Sequence, residues 1–270
     1  MSESGYSSDE DCFYRDELIR LKKAYRVQGL IRKAAHGDIF LGNTRDCSKI
    51  EVVLKVVKKR KTDISYLNGR RVPNEAKFHY LAYQADPSGT VAFFDCFERL
   101  SDFVIVMEKP ENSVDLLEFV NEFGQLDFET AKIITTQLAR SSLLHKEAGI
   151  IHCDLKDENV LFNPMTRTVK IIDFGNATMC NKVTSSSFGT PAYYPPEVKN
   201  KSSFNSDAST VYNIGCIAFT VVTGTSPFEE RPFDLQRHVL FNGALSRHER
   251  SLLFQLLSDC SQRVQLHKIL

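Results

Sequence analysis

Closely spaced cysteine pairs are absent from this sequence. The seven cysteines are an odd number and are spread along the chain without any Cys-x-x-Cys pair. This distribution is typical of free thiols in a reducing compartment, since disulfide frameworks and zinc sites use cysteines in characteristic pairs. The pattern therefore argues against a disulfide-stabilised secreted scaffold and against a zinc-binding module.

The sequence also lacks a long apolar run and an excess of either charge. Its longest apolar stretch, residues 214–222, is too short and too interrupted for a membrane span, and the acidic N-terminus has no basic start or apolar run of a signal peptide. Lysine plus arginine and aspartate plus glutamate both number 34. Because the charges balance, bulk binding to nucleic acid or to an anionic membrane is not indicated. We expect a soluble, intracellular protein with neither partner.

The length and the hydrophobic content suit two lobes or one large domain. The chain has 270 residues, 42% of them hydrophobic, and contains no repeated segment. Residues 1–12 are acidic and serine-rich. They carry too little apolar surface to offset the entropy of ordering, so we predict a flexible acidic tail there.

Residues 13–109 are predicted to form a small β-rich lobe. Apolar spacing indicates a leading amphipathic helix at 13–24. Strand patterns follow at 25–31, 38–43, 50–57, 91–97 and 103–108. One main helix is predicted to begin at Pro73 and to run to about Tyr83, because proline suits a first helical turn.

Residues 110–270 are predicted to form a larger helical lobe. Periodic apolar residues indicate helices at 114–123, 128–148 and 210–222, and the pattern from 241 onward is mostly helical. Asp127 and Gly149 resemble an N-cap and a C-terminal stop for the long middle helix. The fold class predicted from these patterns is α+β, with the two lobes joined near residues 108–112.

Chemistry-bearing residues concentrate in the segment 152–159 and in Asp173, the first residue of an Asp-Phe-Gly sequence. Phosphoryl transfer needs a carboxylate that orients the attacking hydroxyl, and an amide and a second carboxylate that bind metal ions. Asp154, Asn159 and Asp173 stand in the order that these roles require. Any one of these pieces occurs by chance in charged loops, but the ordered set does not do so readily.

The ordered set resembles the catalytic loop and the magnesium-binding turn of eukaryotic protein kinases. The resemblance implies a bilobal protein-kinase fold that uses ATP and Mg²⁺. Asp154 is then the catalytic base, Asn159 and Asp173 are the metal ligands, and Lys156 reaches the phosphate being moved. Lys156 is typical of the serine/threonine form of this loop.

Two further landmarks agree with the kinase resemblance. Lys55 ends an apolar run, and the resemblance implies that it binds the nucleotide phosphates and pairs with Glu75. Taken alone, Lys55 is a strand-end lysine that extends to water. Residues 188–197 resemble the end of an activation segment, in which the Thr190 hydroxyl contacts the catalytic carboxylate and Glu197 pairs with Arg263. Small-molecule phosphotransferases lack such a segment, which argues against that class.

Within the kinases, several segments are similar to the Pim serine/threonine kinases. These segments are residues 71–75, 97–99, 108–111, 115–119, 157–159 and 194–197. Pro110 is the most distinctive of the matching residues, because proline removes a backbone donor that most kinases offer to adenine.

The Pim resemblance implies further site residues. The implied nucleotide-binding residues are Lys55, Glu75, Ile31, Gly37, Ile39, Met107 at the gatekeeper position and Glu108 through its carbonyl. Three acidic residues, Asp115, Glu118 and Glu158, are implied to receive substrate arginines, so the expected partners are proteins or peptides with arginine upstream of the target. We expect a monomer that is cytoplasmic, or both cytoplasmic and nuclear.

The sequence departs from the kinase pattern at two places. Cys153 replaces the arginine that pairs with a phosphorylated activation loop, so phosphates at Thr184, Ser185, Ser186 or Ser187 are not expected to control activity. In the phosphate-covering loop Gly37 is the one glycine of the kinase pattern that is present, and Arg32 replaces the first glycine. The leading hypothesis is an active protein serine/threonine kinase. The alternative is a pseudokinase that acts as a regulatory or binding module.

Overall fold

The structure is a computed structural model and describes residues 8–34, 37–182, 189–199, 205–225, 239 and 245–270. It has two compact units, the first formed by Met1–Tyr80 and Val91–Pro110 and the second by Leu81–Thr90 and Glu111–Leu270. Predictions on residues 1–7, 35–36 and 184–187 lie outside the described residues. The boundary predicted from the sequence lies between residues 109 and 110 and places residues 81–90 in the first unit, whereas the structure has them in the second.

The first unit is built on an antiparallel sheet. Its strands are β1 Tyr25–Ala34, β2 Gly37–Thr44, β3 Glu51–Lys58, β4 Ile64–Leu67, β5 Arg70–Pro73, β6 Phe93–Glu98 and β7 Asp102–Glu108. Five of them form one sheet in the order β1-β2-β3-β7-β6. Apolar residues of the central strands, including Val52, Leu54, Val104 and Val106, are buried together as its core. The strands predicted from the sequence are present, with ends shifted by at most three residues.

Helix α1 (Ser8–Ala24) packs against this sheet through Leu21. It begins at Ser8, so the prediction of a flexible tail through residue 12 was wrong for residues 8–12. Glu17 explains how a helix rich in charge is fixed in place. Its buried carboxylate accepts hydrogen bonds from Arg70 Nη2 at 2.9 Å and from the backbone N–H of Glu98 at 3.3 Å.

Strands β4 and β5 form a hairpin that the sequence analysis missed. The turn residues Asn68 and Gly69 have φ values of 51° and 78°, as a type I′ turn requires, and Asn-Gly is the strongest short signal for such a hairpin. Pro73 ends β5, so helix α2 (Asn74–Ala85) begins at Asn74 and not at the proline as predicted. The hairpin therefore leads directly into the helix that carries Glu75.

The second unit is mainly helical. Its helices are α3 Leu116–Phe123, α4 Phe128–Glu147, α5 Pro196–Lys199, α6 Ser206–Thr223 and α7 Arg247–Leu257. Short strands connect them: β8 Val114–Asp115, β9 Ile150–Ile151, β10 Val160–Asn163, β11 Thr168–Ile171 and β12 Thr178–Met179. Asp127 is the N-cap of α4, as predicted, since its side chain accepts from Thr130 N. Of the predicted helix from 241, the described part is α7 and a 3₁₀ turn at Leu266–Lys268.

Close packing around α6 forms the core of the second unit. Most of α6 is buried, and a Cβ added at Gly215 would lie 2.7 Å from Leu257 Cδ2 and 2.9 Å from Leu256 Cβ. The glycine therefore lets α6 and α7 approach closely. No helix among the described residues has the length and apolarity needed to cross a membrane.

Residues 81–90 are anchored to the second unit by buried polar contacts. Asp86 accepts from Ser141 Oγ at 2.6 Å, and Thr90 Oγ1 lies 2.9 Å from His145 Nε2. The backbone N–H of Ile171 donates to Gly89 O at 2.7 Å. These contacts give hydrogen-bond partners to polar groups that would otherwise be buried without them. They explain why this segment is part of the second unit.

Candidate active site

Short strands position the loop that carries the predicted catalytic residues. The loop lies between β9 and β10, which pair with β12 and β11 respectively. The backbone N–H of Ile172 donates to Asn159 O at 3.0 Å. Because β11 runs directly into residue 173, this pairing brings Asp173 to the same edge as Asn159.

Asp154 is held by three groups around its carboxylate. Oδ1 accepts from the backbone N–H of Thr190 at 2.8 Å, and Oδ2 accepts from Asn176 Nδ2 at 3.2 Å. Lys156 Nζ lies 3.9 Å from Oδ2. A carboxylate fixed in this way has a defined orientation, which a group that directs a substrate hydroxyl needs.

Thr190 contacts the catalytic loop through different atoms than the sequence analysis predicted. The hydroxyl was expected to contact Asp154, but the backbone N–H makes that contact while the hydroxyl accepts from Lys156 Nζ at 3.0 Å. Gly189 lets the backbone approach so closely. Its φ is 82°, and a Cβ there would lie 2.3 Å from Cys153 O and 2.9 Å from Asp154 Oδ1.

Asn159 and Asp173 carry side-chain oxygen atoms that suit coordination of a magnesium ion. Asn159 Nδ2 donates to Asp154 O at 2.8 Å, so the amide oxygen is the atom suited to bind a metal. Asp173 adopts a left-handed backbone with φ 63°, and its Oδ1 accepts from Gly175 N at 3.2 Å. The described residues contain no cluster of three or more His, Cys, Asp or Glu able to hold a metal. An amide oxygen and one carboxylate fit Mg²⁺ that completes its octahedron with water and phosphate oxygens.

The side chains of His152 and Phe174 stabilise the catalytic loop. Asp154 N donates to His152 Nδ1 at 3.2 Å, so the ring proton is on Nε2, which donates to Ile172 O at 3.0 Å. Burial lowers the pKa of His152, against the opposing effect of the hydrogen bond to Ile172 O and of the Asp154 and Asp173 carboxylates. The ring of Phe174 lies 4.9 Å from the imidazole in an edge-to-face arrangement. A neutral histidine thus links the catalytic loop to the turn at Asp173.

Lys55 and Glu75 form a buried ion pair in the first unit. Lys55 Nζ lies 2.7 Å from Glu75 Oε1, and each side chain is about 6% exposed. The predicted contact is confirmed. A buried ammonium is costly unless anions surround it, so this lysine suits an anionic ligand.

The other predicted nucleotide-binding residues all lie on the sheet of the first unit. Met107 is buried on β7, and Glu108 is fixed by two contacts with Ala92, one through its backbone N–H at 2.9 Å and one through Oε2 at 2.8 Å. Ile31 lies at a register shift in β1 and is half exposed, and Ile39 pairs with Lys55 across the strands. Their roles toward a nucleotide stay predictions.

Gly37 has a structural explanation that is independent of any ligand. A Cβ at this position would lie 2.2 Å from Val56 O. The glycine is therefore required by the pairing of β2 with β3, and its presence does not by itself indicate a phosphate-binding loop. Strand β1 continues through Ala34, which pairs with Gly37.

The predicted substrate-binding acids have unequal surroundings. Asp115 is the N-cap of α3, where its side chain accepts from Glu118 N at 2.8 Å. Glu158 Oε2 lies 2.9 Å from Lys156 Nζ. Helix α3 packs against the turn Asp157–Asn159, so the structure brings these acids to one side of the second unit. The exposed Glu118 is the simplest candidate to meet a substrate arginine.

Sequence reasoning missed two residues of this region, Asp157 and Tyr193. Asp157 lies in the catalytic loop, is 1% exposed, and accepts from Tyr193 OH at 2.5 Å. Burial raises the pKa of Asp157, and burial also raises that of Tyr193, whose phenol therefore keeps its proton. No local sequence signal connects the two residues, because they are 36 positions apart.

Comparison with known proteins places the chain among related sequences. Residues 25–266 match the family described as "Protein kinase domain". The chain is 29% identical over 259 residues to serine/threonine-protein kinase pim-2 of Danio rerio, covering 92% of this chain and 84% of the relative. It is 27% identical over 258 residues to serine/threonine-protein kinase prk-2 of Caenorhabditis elegans, covering 93% and 58%.

A third relative is a PAS domain-containing serine/threonine-protein kinase of Mus musculus. It is 28% identical over 251 residues, which cover 91% of this chain and 18% of the relative. The chain therefore spans less than two thirds of the length of the second and third relatives.

Proposed function

The chain belongs to the protein kinase domain family, and on that premise we propose that it is an active protein serine/threonine kinase that uses ATP and Mg²⁺. The observation that carries the proposal is the geometry of Asp154. Its carboxylate is held by Thr190 N and Asn176 Nδ2 at the end of a loop that also presents Lys156 and Asn159. Phosphoryl transfer depends mostly on such positioning and on charge stabilisation.

The residues of each unit have distinct parts in this proposal. In the first unit the Lys55–Glu75 pair offers a buried cation to the nucleotide phosphates. In the second unit Asn159 and Asp173 would hold the metal, and Asp154 would orient the substrate hydroxyl and accept its proton. Bound ATP with Mg²⁺ supplies the phosphoryl group and the charge that neutralises it. Lys156, which already contacts Thr190, stabilises the negative charge beside Asp154.

We propose a preference for peptides with arginine upstream of the target serine or threonine. Support comes from the acidic side of the second unit, where Asp115 and Glu118 lie on or beside α3 and Glu158 lies on the adjoining turn. Carboxylates pair well with guanidinium groups because two parallel hydrogen bonds form. The similarity to pim-2 and to other serine/threonine-protein kinases agrees with the proposed target residues.

The second candidate function is a non-catalytic regulatory or binding module. Arg32 stands where kinases have a glycine, and Gly37 is explained by the close approach of Val56 O. A poor phosphate-covering loop favours weak nucleotide binding or slow turnover. A chain with this function has the same fold, but its Asp154 does not act as a catalytic base.

One experiment separates the two candidates. Purified full-length protein is given Mg²⁺ and radiolabelled ATP together with a serine-containing peptide that has upstream arginines. The kinase proposal predicts label transfer to the serine, which requires Mg²⁺ and is lost in Lys55→Met. A protein that binds ATP and leaves the peptide unlabelled, with no more ATP turnover than Lys55→Met, supports the binding module instead.

A further inference from the structure

Asp157 and Tyr193 join the catalytic loop to the segment 189–199, which we call the anchor segment. Asp157 Oδ1 accepts from Tyr193 OH at 2.5 Å and from Glu158 N at 3.1 Å. Both side chains are buried, at 1% and 7% exposure. A phenol that donates to a carboxylate in a buried site makes a charge-assisted hydrogen bond, which is stronger than a neutral one.

The position of this pair relates it directly to the reacting groups. Asp157 lies on the same short loop as Asp154 and Asn159. Tyr193 lies at the end of the 3₁₀ turn that begins after Thr190, and its backbone N–H donates to Thr190 O at 2.9 Å. A shift of Tyr193 would therefore move Thr190, whose own N–H holds Asp154.

The anchor segment has a second fixed point on α6. Asn213 Nδ2 donates to Tyr193 O at 3.0 Å, so the tyrosine is held at both its backbone and its hydroxyl. The Oδ2 atom of Asp157 is also buried, and a hydrogen bond from the Thr220 side chain on α6 to this carboxylate opposes the rise in its pKa. The Tyr193 hydroxyl donates to the other carboxylate oxygen, Oδ1.

Cys153 occupies the position at which the resemblance to protein kinases places a phosphate-binding arginine. The thiol is partly buried, and its Sγ lies 3.6 Å from Ile151 O. It offers no positive charge to a phosphate on the activation segment. The Asp157–Tyr193 hydrogen bond needs no modification in order to form.

We propose that Asp157 and Tyr193 are positioning residues that hold the anchor segment against the catalytic loop in the unphosphorylated chain. The inference rests on the proposed kinase function for its catalytic consequence, but its structural content is independent of activity. The pair acts through Thr190, whose backbone contacts Tyr193 and Asp154.

The test compares Tyr193→Phe with a matched control, Tyr66→Phe, in phosphatase-treated full-length protein. Tyr66 is 64% exposed on the β4–β5 hairpin, so the control loses the same hydroxyl from a solvated position. The first readout is backbone amide hydrogen exchange across residues 189–199. We expect exchange to rise at least ~10-fold in Tyr193→Phe and to stay at the wild-type rate in Tyr66→Phe, because the lost bond is buried and charge-assisted.

The second readout is steady-state kinetics with ATP and peptide. We expect Tyr193→Phe to lower kcat by ~10-fold or more while the KM for ATP stays constant, since the Lys55–Glu75 pair is untouched. Asp157→Asn keeps an acceptor oxygen for the phenol and should lie closer to wild type than Asp157→Ala in both readouts. If Tyr193→Phe fails to fold, the comparison of Asp157→Asn with Asp157→Ala still tests the inference.

Two results would overturn the inference. They are exchange at residues 189–199 that is equally fast in phosphatase-treated wild type and in Tyr193→Phe, and equal effects of Asp157→Asn and Asp157→Ala. If the wild type transfers no phosphate, the proposed function fails, while the exchange experiment still decides the inference.

Discussion

Arg263 and Glu197 form a two-point ion pair inside the second unit. Arg263 Nη1 lies 2.6 Å from Glu197 Oε1, and Nη2 lies 3.1 Å from Oε2. The guanidinium also donates to Ala208 O and to Ser258 O, and it lies 5.0 Å from the Tyr212 ring centroid. The pairing predicted from the sequence is confirmed. Through these contacts Arg263 connects α5 to α6 and to the chain after α7. The end of the anchor segment is thereby fixed as well.

Removal of this arginine should destabilise the second unit strongly. Arg263→Met leaves the Glu197 carboxylate without its cation, and we expect the free energy of unfolding to fall by about 3–5 kcal/mol. Calorimetric unfolding of the purified variant measures the change. The control is Lys109→Met, which breaks the exposed ion pair with Glu51 and should cost about 0–1 kcal/mol. Equal losses in the two variants would contradict the account.

Lys55 should be required for phosphoryl transfer. Lys55→Met leaves Glu75 buried without its cation and removes the charge offered to phosphate. We expect transfer to fall by ~100-fold or more. Lys58→Met on the same strand is the matched control, because Lys58 is half exposed and lies 3.7 Å from Asp102. The rate of peptide phosphorylation is measured for both variants at saturating and at low ATP. A similar rate for Lys55→Met and Lys58→Met would contradict the prediction.

Substrate preference should depend on Glu118. Glu118→Gln is expected to lower kcat/KM by about 10-fold or more for a peptide with upstream arginine and to leave an arginine-free peptide unaffected, because a charge-assisted pair is lost. Glu147→Gln, an exposed acid at the end of α4, is the control. Asp115 is less suitable for this test because it caps α3, and its loss should cost about 0.5–2 kcal/mol of stability. A peptide array indifferent to upstream arginine would disprove the preference.

His152 should make stability fall in mild acid. Burial lowers its pKa in the folded chain below the ordinary value of 6.5. The unfolded chain then binds a proton at a higher pH than the folded chain does, so stability is lost as pH falls below about 6.5, at most at 1.4 kcal/mol per pH unit. Nitrogen NMR shifts should show a neutral ring with the proton on Nε2 at pH 7. A charged His152 ring at pH 7 would contradict the assignment.

The strands and helices that the sequence predicted well are those with strong periodic patterns and caps. The α+β protein-kinase fold is confirmed, and α4 lies within one residue of its predicted end. Local signals were sufficient for these elements, because alternation and an Asp127 N-cap act within a few residues. The β4–β5 hairpin, which was not predicted, also has a local signal in Asn68-Gly69.

What the sequence could not provide were relationships between distant residues. The contact of Tyr193 with Asp157 and the choice of the Thr190 backbone N–H for Asp154 depend on how two loops meet after folding. The contact of Glu17 on α1 with Arg70 on the β4–β5 hairpin likewise joins residues that are far apart in the sequence. The motifs placed Asp154, Asn159 and Asp173 in the right order, and the folded loop gives them their geometry.

The most direct test of the proposed function is phosphotransfer by wild type, Asp154→Asn and Asp173→Asn with a serine peptide. If Asp154 orients the substrate hydroxyl, Asp154→Asn should lose at least ~100-fold in transfer while its affinity for ATP changes little. Asp173→Asn should instead lose nucleotide affinity that depends on Mg²⁺. Equal turnover by all three proteins would contradict the assignment of this chain as a kinase that acts through Asp154.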